Sequence, residues 1–210
     1  MLCRGFFIGG NLISNKSLQL IQEAIGVYEK LVGKEYILGY RTNQKHPMKT
    51  ISIGIQEKNF WHLLGCEIDK KLSKEERQKL YADCLQGVNV SSSLNYTRSQ
   101  QDVSTKHNTF MQVFDFIRHA GVLRICANVP GFSLFSIGAG TTAGLIGYGQ
   151  DKELYYPKTT YTKSIYDIDP KTSDKICFVL SRPIFSNEDF VVEYEIINGI
   201  SQQFYNSSLR

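Results

Sequence analysis

Phe190-Val191-Val192-Glu193-Tyr194-Glu195-Ile196-Ile197 sets Val192, Tyr194 and Ile196 against Glu193 and Glu195. That period of two belongs to a β-strand with one wet face. Working back towards Pro130, residues 175–180, 154–158, 141–148 and 132–137 are also short, apolar or tyrosine-rich, and strand-like. The second half of the chain therefore reads as a sheet. The first half opens differently. Across residues 15–32, Leu18, Ile21, Ala24, Ile25, Tyr28, Leu31 and Val32 recur every three or four positions, the apolar stripe of an amphipathic helix, with Gly33 behind it. Residues 36–41 and 50–55 form an early strand pair around a polar link holding Pro47. Residues 60–65 read as a short helix or turn. Residues 73–86 are a helix with Ser73 and Glu76 spaced as a capping box, and residues 108–121 are a further helix. Helices with an early strand pair, then a C-terminal antiparallel sheet, make an α+β fold. One domain over residues 1–210 is expected, its core at about 14–197. The polar stretch 88–105 reads as a loop within it.

Composition narrows the classes. The chain has 210 residues, 42% hydrophobic and 21% charged, with a net charge of +4. That is ordinary for a folded domain, and the basic excess permits an anionic partner without requiring one. Cys3, Cys66, Cys84, Cys126 and Cys177 are scattered and never spaced as CxxC, so buried reduced thiols are expected rather than disulfides or a zinc site. No apolar run approaches the ~20 residues of a membrane span, and residues 1–10 lack a signal-peptide core. A soluble cytoplasmic protein without a cofactor is the expectation.

Several apparent motifs dissolve on inspection. Gly138, Gly140, Gly144 and Gly147 do not have the spacing of a dinucleotide-binding turn; they fit strands that other groups approach closely. Asp167 and Asp169 lack companion ligands and suit a solvated turn before Pro170, so no metal site is expected. His46 and His119 read as solvated or structural, and His107, beside Lys106 at a helix start, as intermediate. His62 sits inside the apolar run Phe60-Trp61-His62-Leu63-Leu64-Gly65. It is either a core-edge imidazole held by one hydrogen bond or a group positioned for proton transfer. Tyr155-Tyr156-Pro157-Lys158-Thr159-Thr160 offers a phenol, a cation and hydroxyls together, a set that can hold a phosphate or stack on an unpaired base. The same segment also reads as a strand edge guarded by a lysine.

Taken together, these pieces resemble a known group. Residues 60–65 are similar to its F-x-H-L-x-G motif, following a helix and a strand pair. Residues 143–147 and 155–159 are similar to its glycine-rich strand and tyrosine–proline–lysine–hydroxyl segment. The group is the phage and mobile-element family of nucleases likened to barnase, EndoU, colicins and RelE-type toxins. The resemblance implies N-terminal helices packed on an antiparallel sheet, and metal-independent RNA cleavage. Carried over residue by residue, it points to His62, Tyr156, Lys158 and Thr159 as catalytic candidates. Thr160, Lys106, His107 and Arg182 are candidates for substrate contact. RNA (tRNA or mRNA) is the implied partner, with an antitoxin or immunity protein if the chain is a toxin. A non-catalytic nucleic-acid-binding module on the same scaffold and a small-ligand enzyme using the glycine-rich strands stay open at this point.

Overall fold

The computed structural model describes residues 13–97, 100–127, 135–172 and 174–208. The N-terminal patch at residues 6–8 and the expected strand start at 132–134 lie outside them. Helix α1 (Asn15–Glu29) is capped by the Ser14 hydroxyl, which accepts from the Ser17 N–H, and it buries Leu18, Ile21, Ala24, Ile25 and Tyr28. Strands β1 (Lys34–Arg41) and β2 (Lys49–Gly54) form the expected antiparallel pair, with Tyr36 opposite Ile53. A 3-10 turn over Glu57–Asn59 leads into the one-turn helix α2 (Phe60–Leu63). Strand β3 (Cys66–Ile68) follows, then α3 (Lys74–Leu85), whose Ser73–Glu76 capping box is formed in both directions. Next come β4 (Leu94–Tyr96), paired with β3, and α4 (Gln100–Val113).

The second half supplies β5 (Arg124–Ala127), β6 (Ile137–Thr141), β7 (Gly144–Asp151) and β8 (Leu154–Tyr161). After α5 (Ile165–Ile168) come β9 (Asp174–Pro183), β10 (Val191–Glu195) and α6 (Ile200–Ser208). The large sheet runs β1-β2-β8-β7-β6-β5-β9-β10, and β9 also pairs with β1, so the strand pairings close into a ring. The length of β9 permits this. One edge meets β1 from Lys175 to Pro183; the other meets β5 at Asp174 and Lys175, and β10 from Phe178 to Ser181. Among the described residues every pairing is antiparallel except β2 with β8, which touch in parallel at Ile53 and Tyr155. The α+β expectation holds.

Three readings need correction. The stretch 88–105 is not one continuous loop: its described residues include β4 and the first half of α4. The helix expected at 108–121 begins at Gln100 and ends at Val113. In β10 the strand is present, but Val191 and Val192 are 62% and 51% exposed, because a bulge between Val192 and Tyr194 breaks the alternation at the rim of the sheet. The glycine-rich segment forms the β6–β7 pair as a close-approach surface. A Cβ on Gly138 would meet Cys126 Sγ at 2.8 Å, and one on Gly147 the Phe135 ring at 2.6 Å.

An aromatic cluster joins the helices to one another. Tyr28 of α1 packs on Phe60 of α2 and Phe114 after α4, with ring centroids 5.1 and 4.9 Å away, and Phe110 stacks on Phe114 at 4.5 Å. The Tyr28 hydroxyl, which burial pushes well above its ordinary pKa, donates to the Gln56 carbonyl just before α2. Rings of this size, fully buried, dominate a core's energetics, so α2 is held rigidly although it is one turn long.

Candidate active site

The residues of α2 divide sharply. Phe60, Trp61, Leu63 and Leu64 are buried, and His62 between them is exposed. Four apolar anchors in the core leave the remaining direction, and the imidazole, pointing outward. Gly65 then turns the chain at φ +73°, a left-handed value that suits glycine. The Gly65 carbonyl accepts from both the N–H and the hydroxyl of Thr97, at 2.9 and 2.8 Å, fixing the end of β4 beside α2. A Cβ at Gly65 would lie 3.3 Å from Lys106 Cδ, so the absent side chain also makes room for that lysine.

These segments border a cleft of about 630 Å³. His62 of α2 and Thr97 beyond β4 form one side. Asp102, Thr105 and Lys106 of α4 form the second. Lys158, Thr159 and Thr160 of β8, with the chain just after them, form the third. Spacings of three and four place Asp102, Thr105 and Lys106 on one face of α4. On β8, the register slips between Gly147, opposite Thr159, and Tyr148, opposite Pro157. Lys158 is therefore the extra residue of a β-bulge, a device that re-aims a side chain. Its stem lies over Gly149, where a Cβ would sit 3.0 Å from Lys158 Cγ and Cε. Thr160 Oγ1 is buried and makes no hydrogen bond among the described residues, an orphan group of the kind that polar sites retain.

The cleft thus brings together His62, Lys158, Thr159, Thr160 and Lys106, and leaves out three other candidates. Tyr156 lies two residues before Lys158, but the intervening bulge sends it to a separate cavity. Burial, then Asp151 and Glu35, raise its pKa above the ordinary tyrosine value. Arg182 lines that second cavity too, with Nη2 3.1 Å from Glu35 Oε1. His107 follows Lys106 by one residue, about 100° around the helix, and so faces α1. It is buried, with Nε2 3.3 Å from Glu23 Oε2. Asp102 and Thr105 were missed in the sequence. Their spacing to Lys106 is a readable signal once residues 100–106 are known to be helical.

Among the described residues, cysteine chemistry has no foothold beside the cleft. Burial pushes the Cys66 thiol up to about 12 although Lys106 pulls it down, so it stays protonated near neutrality. Cys84 and Cys126 are raised to about 11 by the same cause. Cys66, Cys84, Cys126 and Cys177 are all free and buried. Among the described residues no group of three or more His, Cys, Asp or Glu side chains could hold a metal ion. None of the described helices is long and apolar enough to cross a membrane.

A family model described as phage-Barnase-EndoU-ColicinE5/D-RelE like nuclease4 matches residues 20–198. The chain belongs to this family of phage-related nucleases. No curated protein and no solved structure gives a significant match. A nuclease must engage a nucleic acid, and this nuclease presents the two amines of Lys106 and Lys158 in the cleft that holds its exposed imidazole.

Proposed function

We propose that this nuclease is a metal-independent endoribonuclease that cuts RNA at the cleft between α2, α4 and β8. The observation that carries the proposal is the convergence there of one exposed imidazole, one carboxylate, two amines and a row of threonine hydroxyls. Those are the groups that intramolecular cleavage of RNA requires. A base removes the ribose 2′-hydroxyl proton, and the 2′-oxygen attacks phosphorus. Cations hold the doubly charged phosphorane, and an acid protonates the departing 5′-oxygen. The products are a 2′,3′-cyclic phosphate and a free 5′-hydroxyl.

His62 carries one of the two proton transfers, since an imidazole can both take up and release a proton. Asp102, the carboxylate among the described residues of the cleft, takes part in the other. Lys158, aimed by its bulge, contacts the scissile phosphate, and Lys106 supports it from α4. Thr159 orients the phosphate through its hydroxyl. In a cytoplasm, an enzyme of this kind would act on tRNA or mRNA as a toxin or mobile-element effector, and its producer would need a neutralising partner.

The test is incubation of the purified protein with total RNA in excess EDTA, beside His62→Ala. Cleavage that survives the chelator and disappears in the variant supports the proposal. Binding without cleavage marks a regulatory nucleic-acid module instead. Cutting by His62→Ala at the unmodified rate removes His62 from the chemistry.

A further inference from the structure

A second cavity, of about 600 Å³, lies against the same two segments that border the catalytic cleft. On β8, Tyr156 lines the second cavity and Lys158 the first, about 7 Å apart along the strand. Around α2 the pattern repeats: Lys58 lines the second and His62 the first. The spacing along β8 is short enough for a nucleic-acid strand in the cleft to place a neighbouring nucleotide at the second cavity.

The contents of the second cavity suit an uncharged heterocycle better than a phosphate. Lys58, Lys152 and Arg182 are offset by Glu35, Asp151 and Glu153, and Arg182 is already engaged by Glu35 and by the Phe190 ring, 4.3 Å away. The Lys58 ammonium sits 5.8 Å from the centre of the Tyr156 ring. Phe185, also in the lining, is 75% exposed at φ +60°. A bulky side chain in the left-handed region is a genuine outlier, and such residues concentrate at ligand clamps. An exposed ring in a strained backbone, facing a cavity with a second ring, a cation and several carboxylates, has what base recognition needs. The rings and cation stack on the π-face, and the carboxylates accept from ring N–H groups.

We infer that this cavity is a nucleobase subsite: it takes one unpaired base of the strand held in the catalytic cleft, which makes single-stranded RNA the substrate class. The inference rests on a nucleic acid occupying that cleft, not on the identity of the proton carriers. It is tested by fluorescence-anisotropy binding of a short single-stranded 2′-deoxy oligonucleotide, which cannot undergo 2′-hydroxyl attack. Phe185→Gly and Lys58→Gln alter exposed side chains, and thermal melts monitor folding. Loss of the ring should weaken binding about tenfold, and Phe185→Tyr should retain it. An abasic position scanned along the oligonucleotide should cost the unmodified protein the same factor at one site and cost Phe185→Gly nothing further there. Equal affinity of Phe185→Gly and the unmodified protein, or no binding by the unmodified protein, overturns the inference. Binding with the expected losses but no RNA cleavage preserves the subsite and sinks the ribonuclease chemistry.

Discussion

His62 is exposed while each of its neighbours from Phe60 to Leu64 is buried, so its imidazole contributes little to the core. His62→Ala should therefore leave the thermal melt within a degree or two and lower RNA cleavage at least ~100-fold, the usual cost of losing a general acid or base. An initial-rate assay beside a calorimetric scan separates the two effects. Lys158→Ala removes the proposed phosphate cation and should cost ~10²- to 10³-fold in kcat, as loss of a transition-state-stabilising donor does. Lys158→Arg should recover only part, because a forked guanidinium does not replace an ammonium aimed by a bulge. Of the candidate site, the two cleft groups His62 and Lys158 were legible from short local patterns. The separation of Tyr156 from Lys158 was not, since nothing in Tyr156-Pro157-Lys158 announces that one residue is extra to the strand pairing. That Arg182 and His107 lie outside the cleft was not legible either, because their partners, Glu35 and Glu23, are distant in sequence.

Among elements, α4 is the instructive one. Its first half reads as loop because Asp102, Thr105 and Lys106 face the cleft rather than the core, leaving no apolar stripe to detect. Deeper in, α4 meets the β6–β7 turn, where Thr109 Oγ1 donates to the Ala143 carbonyl. Gly144 there has φ +144°, and a Cβ on it would lie 2.4 Å from both Thr109 Cγ2 and the Tyr161 carbonyl oxygen. Gly144→Ala should therefore destabilise the fold by about 3 kcal/mol, through overpacking and an unfavourable backbone angle, as read by urea unfolding. At the far end, Glu195 accepts from the Ser201 hydroxyl and from the N–H groups of Ser201 and Gly199, anchoring the start of α6. The Ser201 hydroxyl above all holds this carboxyl below its usual range. A depressed carboxylate adds stability above the unfolded value near 4.3 and loses it as pH falls through the folded value. Glu195→Gln should cost about 1 kcal/mol at pH 7 and flatten the loss of stability below about pH 4.5, measured by melts from pH 3 to 7.

For the whole molecule, what decides the architecture is β9, long enough to pair β1 on one edge and both β5 and β10 on the other. The α+β class was legible from periodicity alone. The closing of the strand ring was not, because it depends on pairings between residues far apart in the chain. The cleft lies where α2 and α4 pack on β8, so its groups come from the first, middle and last thirds of the sequence. That distribution is why no contiguous catalytic signature appears in the chain. The proposed chemistry is cleavage of RNA in this cleft through the ribose 2′-hydroxyl, without a metal. The most direct measurement is mass analysis of the ends left on a defined single-stranded RNA cut in EDTA. The proposed reaction leaves 2′,3′-cyclic phosphate and 5′-hydroxyl termini, and forms none of them from a strand carrying 2′-deoxyribose at the cut position. Products bearing 5′-phosphates, or equal cutting of the deoxy strand, would contradict it.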